Sequence, residues 1–236
     1  MATFGRVGHA AMLARMRPTA VLVLATLALA TLACDATTPG TFPPEDPALA
    51  AANAASGDPF RGLFPLADAL AGLPEKGALH ATIETDAGAI HCELLVDETP
   101  LAVANFVGLA RGLRPFRDAS GEWVTRPYYE GLAFHRAEPR LFVQGGKLGS
   151  GELGYWLQDE RSIGTAFDRP GMLALANDGP NRSNAEFFVT TVANRSFDGQ
   201  YTILGYCDDP LVVRELERRV LAGEAATITS IAITRE

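Results

Sequence analysis

His80-Ala81-Thr82-Ile83-Glu84-Thr85-Asp86-Ala87-Gly88-Ala89-Ile90-His91-Cys92-Glu93-Leu94 alternates apolar and polar residues on both sides of Asp86-Ala87-Gly88. Ile83, Ile90, Cys92 and Leu94 fall on one face, while Thr82, Glu84, His91 and Glu93 fall on the other. Period two interrupted by a Gly-containing turn is a β-hairpin with one buried face. Moving outward, Thr99-Pro100 opens a helix with a capping hydroxyl and a proline at the first helical position. Val103, Phe106, Val107 and Ala110 make its apolar stripe, and Gly112 suits its stop. Residues 113–128 are polar and loop-like, with Trp123 among charges. Short strands follow around Ala133–Arg136, Leu141–Gln144, Met172–Leu175, Glu186–Thr190 and Tyr201–Gly205.

A second helix starts at Asp209-Pro210, buries Val213, Leu216 and Val220, and ends at Gly223, with Glu215 and Arg219 one turn apart on its outer side. The last strand, Thr227 to Thr234, shifts its apolar phase between Ile228 and Ile231, the mark of a bulge. About eight short strands and two helices make a mainly β chain. The arrangement that leaves no sheet edge open is a closed eight-stranded antiparallel barrel capped by two α-helices, placed here over residues 77–236.

Upstream of the hairpin the character changes. Asp35 to about Lys76 holds Phe42-Pro43-Pro44-Glu45-Asp46-Pro47 and Ala-rich, Gly-containing stretches, which suggests a flexible tether over 34–76 without a core of its own. Phe60, Leu63, Phe64 and Leu66 are the exception and are expected to dock on the domain surface. Ahead of it, Arg6, Arg15 and Arg17 precede the apolar run Ala20 to Ala33. A helix of that length covers about 21 Å, short of the ~30 Å hydrocarbon core, so the segment 1–33 is expected to be an export signal rather than a permanent span. Cys34 after Thr31-Leu32-Ala33 resembles the lipobox of bacterial lipoproteins, with Thr31 where leucine is usual. The resemblance implies a lipid on Cys34 and a location in the cell envelope, facing the periplasm. Cleavage after Ala28-Leu29-Ala30 would instead release a soluble protein. In that compartment Cys92 and Cys207 form either a disulfide or two buried thiols.

The 236 residues carry 47% apolar and 20% charged side chains, a globular balance. A net charge of -8 argues against a nucleic-acid partner held by phosphate neutralisation.

Motifs along the domain carry a resemblance. Asn105-Phe106, Tyr129-Glu130-Gly131, Phe134-His135-Arg136, Gln144-Gly145-Gly146, Ala176-Asn177, Gly179-Pro180-Asn181, Phe187-Phe188 and Asp198-Gly199 follow the order and spacing of the cyclophilin family of peptidyl-prolyl cis-trans isomerases. The span His80 to Arg235 resembles that family throughout. The resemblance implies a proline-containing peptide as substrate, no cofactor, and an eight-stranded barrel. It implies Arg136 as the catalytic residue, with His135, Leu141, Phe142, Gln144, Ala176, Asn177, Glu186, Phe188, Phe197 and Tyr201 around the substrate. Gln144 matches the glutamine that bonds substrate backbone and steadies the arginine, Ala176 and Asn177 the segment that pairs with an extended peptide, and Phe188 the pocket floor. His135 lies on the opposite side of its strand from Arg136, which suits a structural role equally well.

Four positions depart from the family pattern. Leu141 stands where phenylalanine is usual, with Phe142 after it where methionine is commoner. Glu186 replaces a glutamine, Phe197 a leucine and Tyr201 a histidine. Glu186 puts a carboxylate in reach of Arg136, where pairing would either hold the arginine or draw it away.

Rival site chemistries lack their patterns. His9, His80, His91 and His135 have no metal spacing, Ser183 and Ser196 no triad, and Gly145, Gly146 and Gly149 no strand-to-helix phosphate loop. The chain is therefore expected to be a monomeric isomerase that assists folding of exported proteins. The alternative is a proline-segment binding module with little turnover.

Overall fold

The computed structural model describes residues 45–161 and 164–236. The expected signal segment 1–33 and Cys34 lie outside them. Two helices come first, α1 (Pro47–Ala55) and α2 (Leu66–Ala69). The hairpin follows as β1 (Leu79–Thr85) and β2 (Gly88–Leu94), with Leu79↔Leu94, Ala81↔Cys92 and Ile83↔Ile90 paired and buried. Next come α3 (Pro100–Ala110), a small two-stranded sheet of β3 (Phe116–Arg117) and β4 (Trp123–Val124), then β5 (Phe134–Glu138), β6 (Phe142–Gly145), β7 (Met172–Asn177), β8 (Ser183–Thr190) and β9 (Ile203–Cys207). Helix α4 (Pro210–Leu221) and β10 (Ile228–Arg235) complete the chain. The β3–β4 pair lies inside the stretch expected to be loop.

Among the described residues eight strands form one curled antiparallel sheet in the order β10-β1-β2-β9-β7-β8-β6-β5. The expected closed barrel is not formed. β10 and β5 are the two ends of the sheet and meet at one corner only, through the Ala133–Thr227 bridge and the bonds Phe134 N to Ala226 O and Ile228 N to Leu132 O, both 2.8 Å. Beyond that corner α4 packs along β5 and β6, occupying the place where a closing ladder would run and covering the edge. The bulge in the last strand is present: pairing jumps from Glu84↔Ser230 to Thr85↔Ile228, leaving Thr229 without a partner in the ladder.

The main core lies inside the curl, where Phe187 meets Phe106, Tyr129 and Phe134 at ring distances of 5.8, 5.6 and 5.9 Å. Cys92 and Cys207 sit opposite each other on β2 and β9 and are joined as a disulfide. Thr99 does not cap α3 with its hydroxyl, which donates to Ile203 O at 2.8 Å. The buried Glu160 carboxylate takes over, accepting Leu101 N at 3.0 Å and Ala102 N at 2.7 Å.

Residues 45–76 are not a free tether. Asp46 caps α1 by accepting from Ala48 N and Leu49 N. Phe64 is buried against α3, and its ring lies where a Cβ on Gly108 would clash at 2.5 Å. Phe60 and Leu66 pack beside it. Arg111 donates to Ala69 O and Ala71 O, and Arg114 forms a fully buried bidentate pair with Asp58, both bonds 2.7 Å. The composition looked coreless because this segment buries few residues of its own; its partners are on α3 and in the loop after it.

Candidate active site

Antiparallel pairing puts directly opposed side chains on the same face of a sheet. Following the register outward from β5, Arg136 pairs with Gln144 on β6, Gln144 with Phe188 on β8, Phe188 with Ala174 on β7, and Ala174 with Ile203 on β9. One row across five strands thus carries a guanidinium, an amide and then an apolar floor. Phe187 and Phe188 alternate, so the first ring enters the main core and the second enters a separate cluster with Phe142, Phe167, Met172, Ala174 and Ile203.

That cluster floors a groove of about 590 Å³. Phe188 stands 5.3 Å from Phe142 and 5.0 Å from Tyr201, and Phe197 stands 5.4 Å from Tyr201. Leu141, Ala176 and Asn177 also line it. Asn177 is tied down through Nδ2 to Gln200 O at 2.9 Å. The Arg136 guanidinium lies over the Phe142 ring at 5.2 Å, and its Nη2 donates to Glu138 Oε1 at 3.2 Å. Its side chain is 55% exposed. An aromatic hollow with a half-exposed cation at its lip can hold a small apolar ring and present N–H donors beside it.

The structure brings ten of the eleven expected substrate-facing residues to this groove and leaves out His135. The β5–β6 register shifts between Phe134 and Arg136, so His135 sits in the irregularity. Its Nε2 lies 3.3 Å from Glu186 Oε2, which makes it a support of the groove rather than a wall. Glu186 does not pair with Arg136. It accepts from Gln144 Nε2 at 2.9 Å, with Lys147 3.9 Å away. Burial pushes the Glu186 carboxyl up, but the hydrogen bonds from His135 and Gln144 and the Lys147 charge outweigh it and hold it below the usual carboxylate range. The carboxylate is therefore ionised at neutral pH.

Sequence reasoning missed two members of this site. Glu138, two residues past Arg136 and so on the same strand face, is the partner Arg136 has. Phe167, fully buried, stacks at 6.0 Å on Phe188 and meets Phe197 edge-on at 5.5 Å, closing the pocket from behind. A lone aromatic in the polar stretch 158–170 was the available signal for it. Among the described residues no group of three or more His, Cys, Asp or Glu could hold a metal ion.

Comparison with known proteins agrees with this geometry. The chain is 38% identical over 135 residues to a probable peptidyl-prolyl cis-trans isomerase A of Mycobacterium leprae, covering 55% of this chain and 74% of that one. It is 36% identical over 156 residues to peptidyl-prolyl cis-trans isomerase B of Streptomyces anulatus, covering 64% and 86%. A crystal structure of a Cryptosporidium parvum cyclophilin type isomerase superposes with a TM-score of 0.55 at 25% identity, over 67% of this chain and 99% of that one. The sequence model of the family described as "Cyclophilin type peptidyl-prolyl cis-trans isomerase/CLD" matches residues 80–235. The chain belongs to the cyclophilin type peptidyl-prolyl cis-trans isomerase family.

Proposed function

We propose that the protein rotates X–Pro bonds in unfolded or flexible segments of exported proteins, held at the cell envelope by a lipid on Cys34. The observation that carries the catalytic part is the row from Arg136 to Phe188, which sets a guanidinium at the lip of an apolar pocket. An X–Pro bond prefers trans by only about 0.5–1 kcal/mol but must cross a barrier of about 18–20 kcal/mol. In the twisted transition state the proline nitrogen loses conjugation and regains a lone pair. A donor aimed at that nitrogen binds this state better than either planar one, which is the condition for catalysis. Phe142, Phe188 and Tyr201 seat the ring, and Arg136 supplies the donor. Its bond to Glu138 is between half-exposed groups. Such a pair is worth about 0–1 kcal/mol, so turning toward substrate costs little.

The apolar run before Cys34 supports export, and the Cys92–Cys207 disulfide suits an oxidising compartment. A C. parvum relative was crystallised in the presence of the dipeptide Ala-Pro, which supports proline as the group bound. Uncatalysed isomerisation takes about 10–100 s, slow enough to limit folding of exported chains.

In a proline-peptide isomerisation assay on the full-length protein, Arg136→Ala is expected to lower kcat/KM by about 100-fold. Peptide affinity should change by less than about threefold. Wild-type turnover no higher than that of Arg136→Ala would favour the binding module, a reading that Leu141 at the pocket wall motivates. Cys34→Ser should release the protein from membranes, and continued retention would defeat the anchor.

A further inference from the structure

Past Lys147 the proline groove runs to Trp156 and Arg182, and there a second cavity of about 700 Å³ begins. Ser150 and Glu152 also line both, so the two hollows adjoin. The far wall of the second includes Ala52, Asn53 and Ser56 of α1 and its end, residues that precede the span matched by the family.

The same N-terminal arm fixes the junction. Asn53 is 1% exposed; its Nδ2 donates to Trp156 O at 2.8 Å and its Oδ1 accepts Trp156 N at 2.9 Å. Asp46 Oδ2 accepts Asn181 Nδ2 at 3.1 Å, one residue before Arg182, and the Ser56 hydroxyl donates to Gly154 O. The arm therefore holds the Trp156 backbone directly and reaches Arg182 through the side chain of its neighbour Asn181.

The cations facing the two hollows differ in one respect. Arg136 has Glu138, Lys147 has Glu186, and Arg117 donates to Ser56 O. The Arg182 guanidinium lies 5.3 Å over the Trp156 ring and has no oxygen partner among the described residues. Stacking on an indole leaves the edge N–H groups of a guanidinium free for a planar, bidentate acceptor.

We propose that the second cavity binds the continuation of the client chain beyond its X–Pro pair, that Arg182 reads a carboxylate there, and that Asn53 is the positioning residue for this junction. This rests on the isomerase reading. Trp156 and Arg182 line both hollows, so this contact falls where the proline groove meets the second cavity.

The test titrates full-length protein by calorimetry with a four-residue proline peptide and with two longer peptides differing only in a Glu or a Lys. The varied residue is placed in turn before and after the proline, and turnover is measured in parallel. Wild type is expected to bind the Glu peptide about fivefold more tightly than the Lys peptide on one of the two sides, the upper scale of an exposed ion pair. The difference should appear in KM rather than kcat. Arg182→Glu should invert the ranking, which a merely structural loss cannot do, and Asn53→Ala should narrow it. Equal affinity for the Glu and Lys peptides, or a ranking that survives Arg182→Glu, overturns the proposal. Absence of wild-type turnover above Arg136→Ala on the four-residue peptide defeats the isomerase reading instead, and calorimetry still decides the second site.

Discussion

Glu160 is fully buried, and its carboxylate closes the N-terminus of α3 while its own N–H donates to the Thr202 hydroxyl beside Tyr201. Burial pushes its carboxyl up, two backbone N–H groups pull it down, and the balance leaves it at about 7 against an ordinary 4.5. Between those values the folded protein keeps a proton that the unfolded chain has lost. Stability from this group therefore falls as pH rises from about 4.5 to about 7, by on the order of 3 kcal/mol. Glu160→Gln removes the titration at nearly constant shape. Its urea midpoint is expected to gain on wild type steadily across that window, and parallel curves would show that the carboxyl stays ionised throughout. The site was legible at this scale wherever one side chain does one job: Arg136, Phe142, Phe188 and Tyr201 do line one groove. It was not legible where partners were exchanged. Glu186 could be placed near Arg136 from sequence, but which of Arg136, His135, Gln144 and Lys147 it would bond depends on a β5 irregularity that no local pattern announces.

The turn between β5 and β6 carries a cost that can be measured. Glu138-Pro139-Arg140-Leu141 closes with Leu141 N donating to Glu138 O at 3.0 Å, and Arg140 has φ +58°. Proline followed by a residue of positive φ is the type II pattern, which favours glycine at the position of Arg140. Left-handed backbone costs a non-glycine residue about 1–2 kcal/mol. Arg140→Gly is expected to stabilise the protein by about 0.5–1 kcal/mol, after the loss to unfolded-chain entropy. The check is a rise in urea midpoint with unchanged slope; a fall would mean that the arginine side chain contributes more than its backbone costs. Elements with one buried face were readable, as the β1–β2 hairpin and the bulge opposite Glu84 and Thr85 show. Helix α3 was readable as a helix but not in its burial. All eleven of its residues are buried, whereas a single stripe was expected. Its sequence, almost without polar side chains, is that of a helix covered all round, and the cover comes from a segment whose composition suggested a tether.

At the scale of the whole molecule, that cover makes the N-terminal arm part of the folding unit. The family match begins at residue 80, yet the domain it describes contains a guanidinium whose counter-ion lies outside it. Arg114 and Asp58 have fully buried side chains, and the Arg114 guanidinium also lies 3.9 Å over the Tyr155 ring. The worth of such a pair relative to an apolar one is small or negative, because desolvating two charges offsets their attraction. Removing one partner is different, since it leaves a buried charge with nothing to balance it, at about 3–5 kcal/mol. Asp58→Ala is therefore expected to destabilise by that amount, although Asp58 touches neither the sheet nor the proline groove. Pairing it with Arg114→Met should restore most of the loss, because the remaining site is lined by Phe60, Phe64 and Tyr155. Denaturant unfolding of the two single variants and the double decides it as a thermodynamic cycle. If the arm only rests on a self-sufficient domain, Asp58→Ala will cost under about 1 kcal/mol and a chain beginning at residue 77 will unfold at the same midpoint. If the arm completes the core, that shortened chain will lose at least as much as Asp58→Ala. Its loss will include the burial of Phe64, about 1.5–3 kcal/mol.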